Sequence, residues 1–211
     1  MDCQRGCNKL RSEYIPDDAF AAILGRIQPD NARAMRVSRE TGARIGDVLA
    51  LRVGDLNGTM LKYTASKTGK QDVKEISPGL ADELRAHAAR NGLLFPGRRG
   101  DKPRTRQAVW ADVKRGARRA GVPLEGVSPH TARKCYAVEL YRTDGLEAAK
   151  NALQHDNMAT TLLYTMADVT GQSKGSGLVS CCLSNPAFYG AFVRAIAEEV
   201  VKLLKEQQIQ Q

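Results

Sequence analysis

The most informative segment of the chain reads Ser128-Pro129-His130-Thr131-Ala132-Arg133-Lys134. Ser128 is a favourable N-cap residue, and Pro129 suits the first position of a helix, where no backbone N–H is needed. His130 and Arg133 are three residues apart, so they share one face of the helix near its positive end. Because a helix N-terminus already attracts anions, these two side chains predict a phosphate-binding site.

Residues 153–164 supply a second histidine and a tyrosine. Asp156 or Asn157 can cap a helix that begins just after them. His155 is therefore expected at the entry of this helix, and Tyr164, nine positions later, is expected near its end. An imidazole and a phenol are groups that can act on a phosphate.

Together these residues resemble the C-terminal signature of tyrosine recombinases, the phage integrase family. That signature is H-x-x-R, then a second histidine, then a tyrosine nine positions later. Two upstream segments resemble the rest of the family pattern. Thr41-Gly42-Ala43-Arg44-Ile45-Gly46-Asp47 matches the first arginine box, and Ser66-Lys67-Thr68-Gly69-Lys70 matches the turn with the catalytic lysine. The features keep the family's order and spacing over about positions 15 to 170, which makes the resemblance specific.

The resemblance implies cleavage and rejoining of DNA strands through a 3′-phosphotyrosyl intermediate. The catalytic residues that it implies are Arg44, Lys67, His130, Arg133, His155 and Tyr164. Asp47 is expected to hold the orientation of Arg44. Lys70 competes with Lys67 as the catalytic lysine, but Lys67 directly precedes Thr-Gly, as the family's lysine does. No metal ion, ATP or other cofactor is implied, because cations stabilise the transition state and the tyrosyl ester stores the bond energy.

The residue types suit this reaction. A tyrosine with an unperturbed pKa of about 10 is a poor nucleophile at neutral pH, so it needs cations around the phosphate. Arg44 and Arg133 can bind the non-bridging oxygens with planar guanidinium groups, and the two histidines can donate further hydrogen bonds. The resemblance implies Lys67 as the acid for the leaving 5′-oxygen, and His130 is the expected acid/base partner of Tyr164.

The hydrophobic pattern predicts a mixed α+β fold, mostly helical, with a small antiparallel sheet of about three strands. Helices are expected over residues 17–26, 31–40, a short stretch from 44, 78–91 and 104–120. Gly42 is expected to end the second helix. Asn57-Gly58 and Thr68-Gly69 are turn signals in residues 55–76, with Lys67 at the second turn. The resemblance implies the catalytic-domain fold of DNA breaking-rejoining enzymes.

The formal net charge of +9 favours a polyanionic partner. With the resemblance, this partner is double-stranded DNA, on which the chain is expected to assemble as a tetramer, with accessory DNA-bending proteins as further partners. The side chains expected to bind phosphates are Arg104, Arg106, Lys114, Arg115, Arg118, Arg119 and Lys134. Trp110 is expected in the core rather than as a platform for bases, and His87 is expected at the surface.

Several classes of protein are disfavoured. No apolar run is long enough to cross a membrane, and residues 1–10 hold no hydrophobic signal core, so a cytoplasmic protein of the nucleoid is expected. The five cysteines are an odd number and do not predict a disulfide framework. A zinc site built from Cys3, Cys7, Cys181 and Cys182 is disfavoured by their spacing.

Three segments are expected along the chain. Residues 1–170 form the catalytic domain, with 1–14 as a linker or merely the starting segment of the chain, and residues 171–185 are a Gly/Ser-containing flexible linker. Residues 186–211 form an amphipathic helix, which either folds back or docks on a neighbouring protomer. No segment before Asp17 matches the family's N-terminal core-binding domain, so its absence is expected. Gln154 departs from the glycine that the family usually has there.

Three functions are compatible with these residues. Joining strands between two DNA sites is recombination, whereas resealing the same strand is relaxation of the type IB topoisomerase kind. A DNA-binding regulator that keeps the fold without turnover is the third. The full set of catalytic residue types favours an enzyme, because a regulator has no need of all of them.

Overall fold

The computed structural model describes residues 14–153, which belong to two compact units divided between Tyr136 and Ala137. The helices are α1 (Asp17–Leu24), α2 (Pro29–Thr41), α3 (Ile45–Leu49), α4 (Pro78–Ala86), α5 (Arg106–Arg119) and α6 (His130–Leu153). The strands are β1 (Leu56–Asn57), β2 (Met60–Thr64) and β3 (Gln71–Glu75). A 3-10 turn at Val53–Asp55 precedes the sheet, and a non-helical glycine, Gly145, interrupts α6. The prediction of a mostly helical α+β fold is confirmed.

The three strands form one antiparallel sheet in the order β1-β2-β3. Gly58 and Gly69 have positive φ angles of 59° and 67°, and they lie in the two turns that the sequence predicts. In β2 the side chains alternate, and Leu61 and Tyr63 are buried. The second hairpin therefore holds Lys67 in an exposed turn above a packed strand.

Gly42 ends α2, as expected, and its conformation turns the chain into α3. It has φ 70° and ψ 3°, and its N–H donates to the Ser38 carbonyl at 3.0 Å. A Cβ atom at this position would lie 2.4 Å from Cδ1 of Tyr136 in α6. Only glycine therefore meets both the backbone and the packing requirement here, and Arg44, two residues later, precedes α3.

The core forms where α5 packs against α1 and α2. Val109, Val113 and Ala117 are buried on one face of α5. Asp112, also buried, accepts hydrogen bonds from the Gln28 amide at 2.7 Å and from the Asn31 side chain at 2.6 Å. Burial would raise the pKa of Asp112, but these hydrogen bonds and Arg115 outweigh it and lower that pKa.

Several predicted helix boundaries were wrong: α1 ends two residues earlier and α2 begins two residues earlier than expected, and α4 and α5 also differ. α4 ends at Ala86 rather than at residue 91, because the chain must turn there to bury Leu93, Leu94 and Phe95. α5 begins at Arg106 rather than at 104 because the Thr105 hydroxyl caps it, accepting from the amide of Ala108 at 3.2 Å.

Trp110 was predicted to lie in the core, and this prediction was wrong. The indole is 49% exposed on α5. The helix buries the face that carries Val109, Val113 and Ala117, and Trp110 is rotated away from the centre of this face. His87, in contrast, is exposed as expected. Within residues 14–153, none of the helices has the length and hydropathy needed to span a lipid bilayer.

Candidate active site

A hydrogen-bond network at residues 126–131 fixes the beginning of α6. The Ser128 hydroxyl accepts from the amide of His130 at 3.2 Å, and the Ser128 amide donates to Oγ1 of Thr131 at 3.0 Å. The Thr131 hydroxyl donates in turn to the Gly126 carbonyl at 3.2 Å. Pro129 directly precedes the first helical residue, so His130 and Arg133 lie in the first turn, as predicted. The role of the buried Thr131 was missed, although its spacing from Ser128 is typical of a capping pair.

Arg133 links the beginning of α6 to the turn between α2 and α3. Its side chain is buried, and Nη1 donates a hydrogen bond to the carbonyl of Gly42. The residue two positions after Gly42 is the half-buried Arg44. The fold therefore brings together two predicted catalytic arginines that are far apart along the chain.

His130 lies among cations. Partial removal from water and then the charges of Arg133, Arg44, Lys134 and Arg106 lower its pKa from the ordinary 6.5. We call His130 and these four residues the cationic cluster. A neutral imidazole among fixed positive charges can accept a proton, and the charges around it favour a bound anion.

Arg106 joins this cluster through contact with α3. It was predicted as a DNA contact on the basic helix α5. Its Cδ atom lies 3.2 Å from the position that a Cβ atom of Gly46 would occupy, so the absence of a side chain at Gly46 leaves room for it. The first residue of α5 thus lies against the helix that follows Arg44.

We expect the pKa of His130 to make folding sensitive to acid. The pKa of His130 is lower in the folded chain than in the unfolded chain, so the unfolded chain binds the proton first as the pH falls below 6.5. The free energy of unfolding therefore decreases as the pH falls, until the pH is below the folded-state pKa as well. His130→Gln should therefore gain stability relative to the unsubstituted chain as the pH falls through this window. Urea denaturation at a series of pH values measures the difference. His87→Gln is the control for loss of a histidine, and parallel pH curves for His130→Gln and the unsubstituted chain would contradict the expectation.

The turn with Lys67 is anchored by backbone bonds and by Asp47. The amide of Gly69 donates to the Ala65 carbonyl at 2.8 Å, and the amide of Ser66 donates to Oδ1 of Asp47 at 3.2 Å. The Asp47 side chain is buried, and its Oδ2 has no hydrogen-bond partner within the described part of the chain. The geometry connects Asp47 to the residue before Lys67, and its role in orienting Arg44 stays a prediction. Both Lys67 and its competitor Lys70 are exposed.

A buried tyrosine that the sequence did not single out lies beside the cluster. The hydroxyl of Tyr63 donates to Oδ2 of Asp72 at 3.1 Å, and these residues face each other across β2 and β3. Burial and then Asp72 raise the pKa of Tyr63, although the charge of Arg133 opposes them. This phenol stays protonated at neutral pH and is therefore unsuited as a nucleophile. The alternation of β2 and the facing aspartate were the signals that sequence reasoning overlooked.

The remaining basic residues on and near α5 differ in how exposed they are and in what they contact. Arg104 donates to Oδ2 of Asp30 at 2.6 Å and to Oδ1 of Asn31 at 3.1 Å, so it ties the preceding loop to α2. Arg115 bonds to Asp112 but leaves 56% of its side chain exposed. Arg118 and Arg119 are exposed, Lys114 is half-buried on α5, and Lys134 is half-buried beside His130. DNA contact by each of these residues stays a prediction.

His155 and Tyr164 lie outside the described residues, as do the predicted linker, the C-terminal helix and every cysteine except Cys135. Cys135 is buried. Among residues 14–153, no group of three or more histidine, cysteine, aspartate or glutamate side chains is arranged to hold a metal ion.

Comparison with known proteins gives a consistent result. The model of the family described as "Phage integrase family" matches residues 15–170. Tyrosine recombinase XerD of Corynebacterium glutamicum is 31% identical over 138 residues, which cover 59% of this chain and 44% of that protein. Tyrosine recombinase XerC of Xanthomonas campestris is 32% identical over 166 residues, which cover 75% of this chain and 49% of that protein. The chain thus spans about half the length of the curated relatives it matches.

The fold is also found in a solved structure, that of a lambda integrase dimer bound to a COC′ core site. It matches with a TM-score of 0.65 and 18% identity over 82% of this chain and 53% of that one. At this level of identity the likeness concerns the fold.

Proposed function

The chain belongs to the phage integrase family, and we propose that it supplies the catalytic domain of a site-specific DNA recombinase or integrase. The observation that carries the proposal is the bond of Arg133 to the Gly42 carbonyl. Through it, the first turn of α6, which carries His130 and Arg133, meets the segment that leads through Arg44 into α3. A cluster of cations there is suited to a phosphodiester rather than to a neutral substrate.

The proposed reaction uses two arginines of the cationic cluster, Arg44 and Arg133, to stabilise the transition state. The phenol of Tyr164 attacks phosphorus and forms a 3′-phosphotyrosyl ester, while the 5′-oxygen leaves. Arg44 and Arg133 bind the non-bridging oxygens, and His155 donates a further hydrogen bond. Attack by a 5′-hydroxyl of another strand reverses the step and completes strand exchange.

Two side chains act as general acid and general base in this proposal. Lys67, on the exposed turn, donates to the leaving 5′-oxygen. His130 accepts the proton of the Tyr164 phenol; its lowered pKa keeps the imidazole neutral, and so able to accept a proton, near neutral pH. The bond from Ser66 to Asp47 supports Lys67 by limiting the positions of its turn.

The proposed partner is double-stranded DNA. The net charge of +9 and the exposed Arg118 and Arg119 favour it. The proposal also includes assembly into a tetramer on DNA, in which the C-terminal helix docks on a neighbouring protomer. DNA-bending accessory proteins are further proposed partners. These partners are proposed by analogy with the family.

A covalent adduct tests the proposed function. We expect the chain, mixed with nicked duplexes of randomised sequence, to form a complex that survives denaturation, because the nick lets the cleaved fragment diffuse away. Tyr164→Phe should abolish this complex, since phenylalanine has no hydroxyl. Sequencing the trapped DNA would identify the target, and joined products would distinguish recombination from relaxation.

Tyr63→Phe is the matched control for the loss of a phenol. It removes a hydroxyl that stays protonated beside Arg133, so the adduct should persist. An adduct that survives Tyr164→Phe, or that disappears only in Tyr63→Phe, would assign the nucleophile to another residue.

A further inference from the structure

The only tryptophan of the chain, Trp110, lies at the surface of the protein. Trp110 is 49% exposed on α5, although its neighbour Val109 is fully buried. An exposed indole leaves a large apolar surface in water, and burial of such a surface is a main source of binding energy at interfaces. A single exposed aromatic residue is not unusual by itself, so its surroundings decide what it can bind.

Lys114 holds one side of this indole. Its ammonium nitrogen lies 5.8 Å from the centroid of the Trp110 ring and donates to the Leu124 carbonyl at 2.5 Å. The carbonyl bond keeps the lysine in place, and the cation attracts the ring face. The indole is therefore held in a defined position before any partner arrives, which reduces the entropy lost on binding.

The surface around Trp110 is positively charged. α5 carries five basic residues, and its one acidic residue, Asp112, is buried and engaged with Gln28, Asn31 and Arg115. One helical turn before Trp110, a rise of roughly 5–6 Å, is Arg106, the member of the cationic cluster that packs against Gly46. The exposed ring thus lies between the cluster and the basic C-terminal half of α5.

We propose that Trp110 and Lys114 form a contact site for the deoxyribose-phosphate backbone of the DNA strand that enters the cationic cluster. The inference rests on the proposed function and adds an apolar contact to the binding surface. In duplex DNA the base faces are stacked on each other, so the planar indole meets the apolar side of a deoxyribose. The flanking cations bind the adjacent phosphates.

Charge argues against a second copy of the chain as the occupant of this surface. A protomer with a net charge of +9 would bring positive charge to a face that already carries an excess of arginine and lysine. A polyanion gains from the same charges by releasing counterions. The occupant that fits both the indole and its surroundings is therefore DNA.

Because Trp110 is the only indole, its fluorescence reports on this site without a label. The experiment uses the full chain with Tyr164→Phe, which prevents cleavage, and measures quenching by acrylamide with and without saturating duplex DNA. We expect DNA to lower the quenching constant several-fold, because the exposed ring becomes covered. An unchanged quenching constant would overturn the proposal. Shielding that instead grows with protein concentration in the absence of DNA would assign the surface to self-association and would also overturn it.

A salt titration separates the apolar contact from charge. Trp110→Ala should weaken DNA binding about tenfold while the slope of log K against log salt stays unchanged, because no charge is lost. Arg118→Ala, on the same helix, is the control and should lower that slope by about one. Trp110→Phe should restore part of the affinity. A reduced slope in Trp110→Ala, or an affinity equal to that of the unsubstituted chain, would contradict the inference.

A thermal unfolding midpoint for Trp110→Ala that matches the parent chain confirms that folding is intact. The adduct assay then separates the two proposals. If the chain with unsubstituted Tyr164 forms the adduct but DNA does not reduce the quenching of Trp110, this inference fails and the proposed function stands. If DNA shields Trp110 but no adduct forms, the contact site stands and the proposed function fails.

Discussion

Arg133→Ala is expected to slow formation of the covalent adduct by about two orders of magnitude or more while much of the salt-dependent DNA binding remains. The guanidinium of Arg133 has a fixed position, because it is buried and bonded to the Gly42 carbonyl. A hydrogen-bond donor that is already in place stabilises the negative charge that develops on the phosphate oxygens in the transition state. Binding of the DNA before the reaction, in contrast, depends on all the cations of the surface. The loss should therefore fall mainly on the chemical step.

Arg133→Lys tests the same point with the charge retained. An ammonium group cannot reproduce the planar fork that bonds a carbonyl and a phosphate oxygen together, so adduct formation should remain strongly impaired. Lys134→Ala is the matched control, since it removes one charge from the neighbouring position in the cationic cluster. We expect this control to change the salt dependence of binding more than the rate.

Single-turnover rates at saturating DNA, together with binding constants over a range of salt concentrations, measure these effects. Loss of binding and of cleavage in equal measure for Arg133→Ala would count against a role in the transition state. Because removing Arg133 leaves the Gly42 carbonyl unpaired, a loss of stability of about 1–3 kcal/mol is also expected. Assays are therefore run well below the melting temperature of the variant.

Gly42→Ala is expected to lower the free energy of unfolding by roughly 2–5 kcal/mol. Part of the effect is the left-handed backbone at φ 70°, which is about 1–2 kcal/mol less favourable for a residue with a Cβ atom. The other part is the approach of that Cβ atom to 2.4 Å from the Tyr136 ring, and such overpacking costs about 1–3 kcal/mol. Because the Gly42 carbonyl bonds Arg133, the adduct yield should fall as well.

Gly58→Ala separates the two contributions. Gly58 has a similar φ of 59°, but a Cβ atom there would have no heavy atom within 4 Å, so only the backbone effect should appear. Urea denaturation of both variants measures the difference. In a double-mutant cycle, Gly42→Ala should cost less stability in a Tyr136→Ala background than in the unsubstituted chain, because the ring that the Cβ atom would meet is absent. Equal destabilisation by Gly42→Ala and Gly58→Ala would show that the Tyr136 contact adds nothing.

Several features of the site could be predicted because they depend on neighbours within one helical turn or one hairpin. The cap at Ser128, the end of α2 at Gly42 and the turn with Lys67 are of this kind. Side-chain capping and the preference of glycine for positive φ act locally, so the residues themselves carry the information. The boundaries of α4 and α5 were less accurate: α4 stops early so that Leu93 can be buried, and the capping threonine of α5 was overlooked.

The amino-acid sequence by itself determined the family, the three-stranded sheet and the positions along the chain of the residues predicted to be catalytic. Only the tertiary structure decided which of these groups meet. The bond of Arg133 to Gly42, the bond of Asp47 to Ser66 and the exposure of Trp110 each depend on how separate elements pack. Local signals extend over a few residues, whereas these contacts require the relative positions of helices and strands that the shared hydrophobic core sets.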